Sequence, residues 1–279
     1  MTAIKFGVAL PYVSPRAVAD LAQQAETAGW DGCFLGDAIW CEDPMIGLAA
    51  AAMVTRHIRL GTLVTPVPLR RPWKLASESL ALDHLSGGRL TLGLATGATW
   101  MGWQAFPDEK TDKKMRAEML DETIDILTLL YACKPFDYDG QHYHVQLTAL
   151  DEMYYPPRPV QQPRIPLWCV GVWPREKSMR RALKADGIIV EKLNDQDQAE
   201  KVTPADIQHI QAYVAENRPQ KNPFDIVVVS DHTDINPEQP ITNLPDWVAA
   251  GTTWWIMGLW AESAESARLH IQQGPPPIN

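Results

Sequence analysis

Cysteine is scarce: only Cys33, Cys41, Cys133 and Cys169 occur in 279 residues, and no two of them form a CxxC pair. A disulfide framework is not expected in a chain of this size, and Cys33 and Cys169 fall inside predicted strands, where a buried thiol behaves as a small hydrophobe. Concentrated positive charge is missing as well. The formal net charge is −9 with no run of one sign, so nucleic acid is not an expected partner. The longest apolar stretch, Met45 to Val54, falls far short of the roughly 20 residues that span a bilayer. The opening MTAIKFGVALP lacks the basic, apolar and cleavage segments of a signal peptide, so a cytoplasmic chain with no membrane role is expected. Without HExxH, GxSxG or P-loop motifs, zincin, serine-hydrolase and NTPase readings have no support. Nor is Pro11-Tyr12-Val13-Ser14 after the first strand a glycine-rich dinucleotide turn.

What is present is a rhythm. Alternating apolar residues over 4–10 predict a strand, and Ser14-Pro15 then caps a helix with Val18, Leu21, Ala22 and Ala25 on one face. The same grammar continues with strands at 33–36, 58–65, 89–95, 167–171, 188–191, 225–230 and 253–257. Helices are predicted at 44–55, 72–85, 111–133, 175–185, 204–217, 242–250 and 262–273. Eight strands, each followed by a helix, predict a single α/β domain over 1–279, a (β/α)8 TIM barrel. An excursion at about 134–166 carries a hairpin turning at Asp139-Gly140 and a proline-rich crossing. Residues 274–279 are read as a flexible tail. Three helix-to-strand turns look alike: Ala28-Gly29-Trp30-Asp31-Gly32, Ala185-Asp186-Gly187 and Ala250-Gly251-Thr252.

In such a barrel the chemistry sits at the carboxyl ends of the strands. Those ends are polar but hold few strong acids: Asp37 and Glu191 are the candidate catalytic groups, with Ser230-Asp231-His232 at a later end. Trp40, Trp100, Trp103, Trp173 and Trp260 follow strand ends closely, a lining that suits a large planar ligand. Thr96-Gly97-Ala98 and Gly171-Val172 are tight turns whose backbone amides can hold a phosphate. His142 and His144 form an HxH on the excursion hairpin, outside the barrel, and are read as a solvated strand face; no metal site is expected. Lys192 after the sixth strand leaves open a Schiff-base aldolase, and a non-catalytic flavin-binding barrel is the third alternative.

The block Ile58-Arg59-Leu60-Gly61-Thr62-Leu63-Val64-Thr65-Pro66, then Arg70-Arg71-Pro72-Trp73, then Leu82-Asp83-His84-Leu85-Ser86-Gly87-Gly88-Arg89 closely resembles the luciferase-like monooxygenases. The resemblance implies a barrel binding FMN or the deazaflavin coenzyme F-420, with Val64 and Thr65 against the ring. Thr96, Gly97, Ala98, Gly171 and Val172 would meet the phosphate. It implies an oxidoreductase or monooxygenase using reduced FMN from a separate flavin reductase and oxygen, or else direct hydride transfer with the deazaflavin. A homodimer is implied as well, for which the run Ala49 to Ala52 permits close helix packing. The chain departs from the family at Ala38, Val172 and Ala98; the last argues against the acid–base chemistry of deazaflavin sugar-phosphate dehydrogenases.

Overall fold

A computed structural model describes residues 4–106, 111–220, 222–231 and 244–277. Eight parallel strands close into a barrel: β1 (Lys5–Leu10), β2 (Gly32–Leu35), β3 (Arg59–Pro66), β4 (Leu90–Ala95), β7 (Leu167–Trp173), β8 (Gly187–Lys192), β9 (Asp225–Asp231) and β10 (Trp254–Gly258). Around them lie α1 (Pro15–Thr27), α2 (Pro44–Val54), α3 (Pro72–Ser86), α4 (Lys113–Tyr131), α5 (Glu176–Ala182), α6 (Pro204–Asn217), α7 (Leu244–Ala250) and α8 (Ala264–Gln272). The excursion is a two-stranded hairpin, β5 (Asp137–Asp139) with β6 (His144–Gln146). His232 and the start of the helix expected at 242–250 lie outside the described residues.

Side chains alternate across each strand, so one set fills the barrel and the other meets the helices. The inner set is dominated by three rings. Phe34 lies 5.3 Å from Trp168 and 5.8 Å from Trp254, and the two tryptophans are 5.4 Å apart. Their bulk explains the glycines facing them: a Cβ on Gly7, Gly32 or Gly187 would fall 2.6–2.8 Å from one of these rings. Each such aromatic pair contributes about 0.5–1.5 kcal/mol beyond its buried area.

The three similar turns share a task at the amino end of the barrel. Asp31 accepts the Phe6 N–H at 2.8 Å, Asp186 the Leu167 N–H at 3.0 Å and Thr253 Oγ1 the Ile226 N–H at 2.9 Å. Each short polar side chain thus ties the start of its own strand to the preceding one. Nearby, the Glu26 carboxylate accepts the N–H groups of Arg56, His57 and Ile58.

The block most specific to the family resemblance is also scaffold. Asp83, fully buried, accepts the N–H groups of Val160 and Gln161 at 2.6 and 3.2 Å and the Gln161 amide at 2.8 Å, which pins the proline-rich crossing to α3. Arg89 donates to Ser86 O, Thr55 Oγ1, and the carbonyls of Ile58, Ala52 and Thr55. That saturates its guanidinium at the carboxyl end of α2, where a cation is favoured.

The hairpin turn is clasped by Glu122 of α4, which accepts the N–H groups of Gln141, His142 and Tyr143. His142 and His144 do not share a strand face. His142 sits in the turn with Nε2 3.0 Å from Glu118, and His144 in β6 faces Asp139 at 2.6 Å. Among the described residues no cluster of His, Cys, Asp and Glu could hold a metal ion, and no helix is long and apolar enough to cross a membrane.

Candidate active site

Above the aromatic plug, the inner face at the carboxyl ends of the strands is apolar. Val64, Val170, Val229 and Trp260 pack onto the inner cluster. Trp260 lies over Gly258, where a Cβ would be 2.6 Å from its ring. Val64 reaches this face because the register of β3 against β4 shifts between Thr62 and Thr65, so Leu63 and Val64 both contact the interior. The same shift turns Thr65 away. It pairs with Leu94 of the helix-facing set and is wholly enclosed, its Oγ1 without a partner among the described residues. A side-chain contact from Thr65 to a ring in the mouth is therefore corrected; only its backbone remains near.

Glu191 is an acid that stands in this surface. It pairs in register with Val172 and shares its inward direction. Its side chain is reached by water, yet the surrounding protein raises its pKa from the ordinary value by desolvation. Among the described residues no cation or donor engages it. An unpaired carboxyl with a raised pKa beside an apolar face is a candidate proton donor or acceptor. Lys192, one position on, points the other way with Trp173 and is held by Asp206 at 3.0 Å and Glu200 at 3.8 Å. A lysine whose ammonium is engaged by two carboxylates and turned away from the mouth is poorly placed to attack a carbonyl there, which counts against the Schiff-base reading.

The turn after β4 supplies the polar corner. Arg116 of α4 donates from Nη1 to the carbonyls of Thr96 and Gly97 at 2.8 and 2.6 Å. Gly97 has φ +84, and a Cβ there would lie 2.6 Å from Trp103. Trp103 is thus fully buried under the turn, with Arg116 over its ring at 5.8 Å, and does not line the mouth as expected. Both peptides of the turn are trans, so carbonyls drawn towards Arg116 leave the N–H groups of Gly97 and Ala98 aimed away from it. Neither N–H has a partner among the described residues.

The other expected phosphate turn does not match. The Val172 N–H is already given to Ser178 Oγ at 3.0 Å, and Gly171 sits in the ladder opposite Val190 with its missing side chain making room for Ile188. Trp173 is likewise turned outward, stacked on His209 and edge-on to Tyr213 of α6. Trp40 and Trp100 stand at the rim, 69% and 78% exposed, with Trp40 against Phe106 at 5.0 Å. Of the five tryptophans, only Trp260 packs onto the inner cluster.

Asp37 is enclosed and paired. Its Oδ2 takes the Nε of Arg70 at 2.8 Å, while Arg70 also reaches Asp43 at 3.0 Å and Glu78 at 3.4 Å. Desolvation raises the Asp37 pKa, with Arg70 opposing. This three-carboxylate cluster on one guanidinium fixes the loop after β2 to the start of α2, where Asp43 caps the helix through the Met45 N–H. Sequence reasoning missed Arg70's role and missed Arg116 altogether. The signal for Arg116 was there: Lys113, Lys114 and Arg116 crowd the amino end of α4, where the helix dipole disfavours cations.

A profile of luciferase-like monooxygenases matches residues 2–255. The chain belongs to the luciferase-like monooxygenase family. Over 154 residues, 52% of this chain and 42% of the relative, it is 36% identical to a Mycobacterium tuberculosis protein assigned by name to the coenzyme F420-dependent oxidoreductases. It is also 36% identical to 4-hydroxyprotoasukamycin monooxygenase of Streptomyces nodosus, over 39% of this chain and 31% of that enzyme. The matched segment thus spans less than half of either relative. The coenzyme F420-dependent tetrahydromethanopterin reductase of Methanopyrus kandleri has the same fold: TM-score 0.72 at 16% identity, over 98% of this chain and 99% of that one. Members of the family are oxidoreductases and monooxygenases, flavin or deazaflavin dependent.

Proposed function

We propose that this chain is an oxidoreductase that uses reduced FMN, delivered by a separate reductase, and oxygen to act on a small organic substrate at the barrel mouth. The observation that carries this is the pairing of an apolar inner face with two unpartnered amides at its edge. Val64, Val170, Val229 and Trp260 suit the ring, and the N–H groups of Gly97 and Ala98 suit the phosphate. When bound, the cofactor supplies the redox chemistry. The protein's part is to orient the ring, exclude water from the apolar face and manage one proton at Glu191.

Glu191 favours a second reading, direct hydride transfer with the deazaflavin coenzyme. Moving a hydride between a coenzyme and a carbonyl or alcohol carbon requires a proton at the substrate oxygen, and Glu191 is an unpaired carboxyl able to hold it. The name of the mycobacterial relative agrees with this reading. Titration of the purified chain with FMN and with coenzyme F420, each oxidised and reduced, tests both. The expected result is saturable binding of one of them, with spectral change. If neither binds, both readings fall. Turnover that requires oxygen with FMN supports the first, and anaerobic turnover with the deazaflavin supports the second.

A further inference from the structure

Arg89 and Arg116 both lack a carboxylate partner among the described residues, but their surroundings differ. Arg89 is saturated by four carbonyls and a hydroxyl. Arg116 is 8% exposed, makes two hydrogen bonds, both through Nη1, and leaves its Nε buried and unpaired. A buried cation in a folded protein is normally paired. Arg116 also stands at the amino end of α4 behind the Gly97 and Ala98 amides, so its charge, the helix dipole and two N–H groups all favour one anion.

We infer that Arg116 is a positioning residue for the cofactor's phosphate: it holds the Thr96 and Gly97 carbonyls back so that the Gly97 and Ala98 N–H groups face the anion, and supplies the balancing positive charge. This inference rests on the flavin-type reading of the mouth and adds to it the group that makes the turn selective for a phosphate. Arg116 acts through the turn. Its effect is therefore on the phosphate and not on the ring.

The test compares FMN with riboflavin, which carries the same ring without the phosphate, and coenzyme F420 with its phosphate-free ring and ribityl fragment, by fluorescence titration. Arg116→Met is expected to weaken the phosphorylated ligand roughly 10- to 100-fold, the scale of a lost charge-assisted hydrogen-bond set, and the phosphate-free ligand hardly at all. Equal weakening of both would show a general scaffold role and overturn the inference, as would unchanged FMN binding. Should Arg116→Met fail to fold, Arg116→Lys and the unmodified chain carry the test. Inorganic phosphate at constant ionic strength should compete with FMN and leave riboflavin unaffected; lack of competition overturns the inference. A chain that binds no ring but whose melting temperature rises with inorganic phosphate, and not in Arg116→Lys, would sink the flavin-type reading while retaining the anion site.

Discussion

Two sets of polar groups, one at each end of the barrel, are treated in opposite ways. At the amino end, Glu26, Asp83, Asp186 and Arg89 are each matched by several partners, and Asp31 by the Phe6 N–H. At the carboxyl end, Glu191 and the amides of Gly97 and Ala98 have none among the described residues, and Arg116 is half satisfied. Satisfied polar groups hold a fold together, while unsatisfied ones are costly unless something arrives to meet them. Substitutions in the two sets should separate in the same way.

The largest effect is expected at the amino end. Asp83→Ala removes a fully buried acceptor from three part-buried donors and should cost about 1–3 kcal/mol, read by urea denaturation. Cofactor affinity per folded molecule should be unchanged. A mild cost would mean that water replaces the carboxylate and that this end is less finished than described.

Next comes the mouth. Thr96→Asp puts a carboxylate beside the turn and should weaken FMN roughly tenfold or more, about 1.4 kcal/mol, with little change in melting temperature. Unchanged affinity would remove the turn from the phosphate site.

Two glutamates give a pH comparison. Glu26 is pulled up by desolvation, but the N–H groups of Ile58, His57 and Arg56 outweigh it and lower its pKa. Its stabilisation is present above the ordinary carboxylate pKa and fades as pH falls through the lowered one. Glu191 is the reverse: its pKa is raised, so folding is favoured while it is protonated and that advantage is lost as pH rises through the raised value. Glu26→Gln should therefore be less stable than the parent at pH 8, by about 1 kcal/mol. Glu191→Gln should be equal or more stable there, with turnover reduced. On acidification the Glu191 gap should close by the ordinary carboxylate range, about pH 4, and the Glu26 gap only as pH falls through its lowered pKa. Glu191→Gln losing stability at pH 8 would assign Glu191 to the scaffold.

The smallest effect concerns assembly. α2 is apolar on every side and leaves Ile46 and Met53 exposed beside Ala49 and Ala50, so we expect it to pack against its copy in a homodimer. Met53→Lys should shift light-scattering mass towards the monomer. A parent chain already near 31 kDa would contradict the dimer.

The architecture was legible in the sequence because strand and helix periodicity, caps at Ser14 and proline starts at Pro15, Pro44 and Pro72 are local signals. The misplacements of Thr65 and Trp173 share one physical origin, the parity of side chains along a strand. β7 runs on to Trp173, beyond the expected end at Gly171; with Val170 and Val172 inward, Trp173 must face the helices. In β3, one extra residue at the register shift brings Val64 inward and sends Thr65 outward. No residue type in that stretch announces a bulge. Arg116 escaped notice because its meaning lies in what it lacks, and a missing partner is visible only in three dimensions.

The central claim, that the Gly97 and Ala98 amides await an anion while the Asp83 contacts at the amino end are already made, is most directly tested by amide hydrogen exchange on the free and FMN-saturated chain. The account predicts fast exchange at Gly97 and Ala98 in the free protein, slowed about tenfold or more by FMN, with the Val160 and Gln161 amides slow in both states. Gly97 and Ala98 already protected in the free chain, or unmoved at saturation, would contradict it.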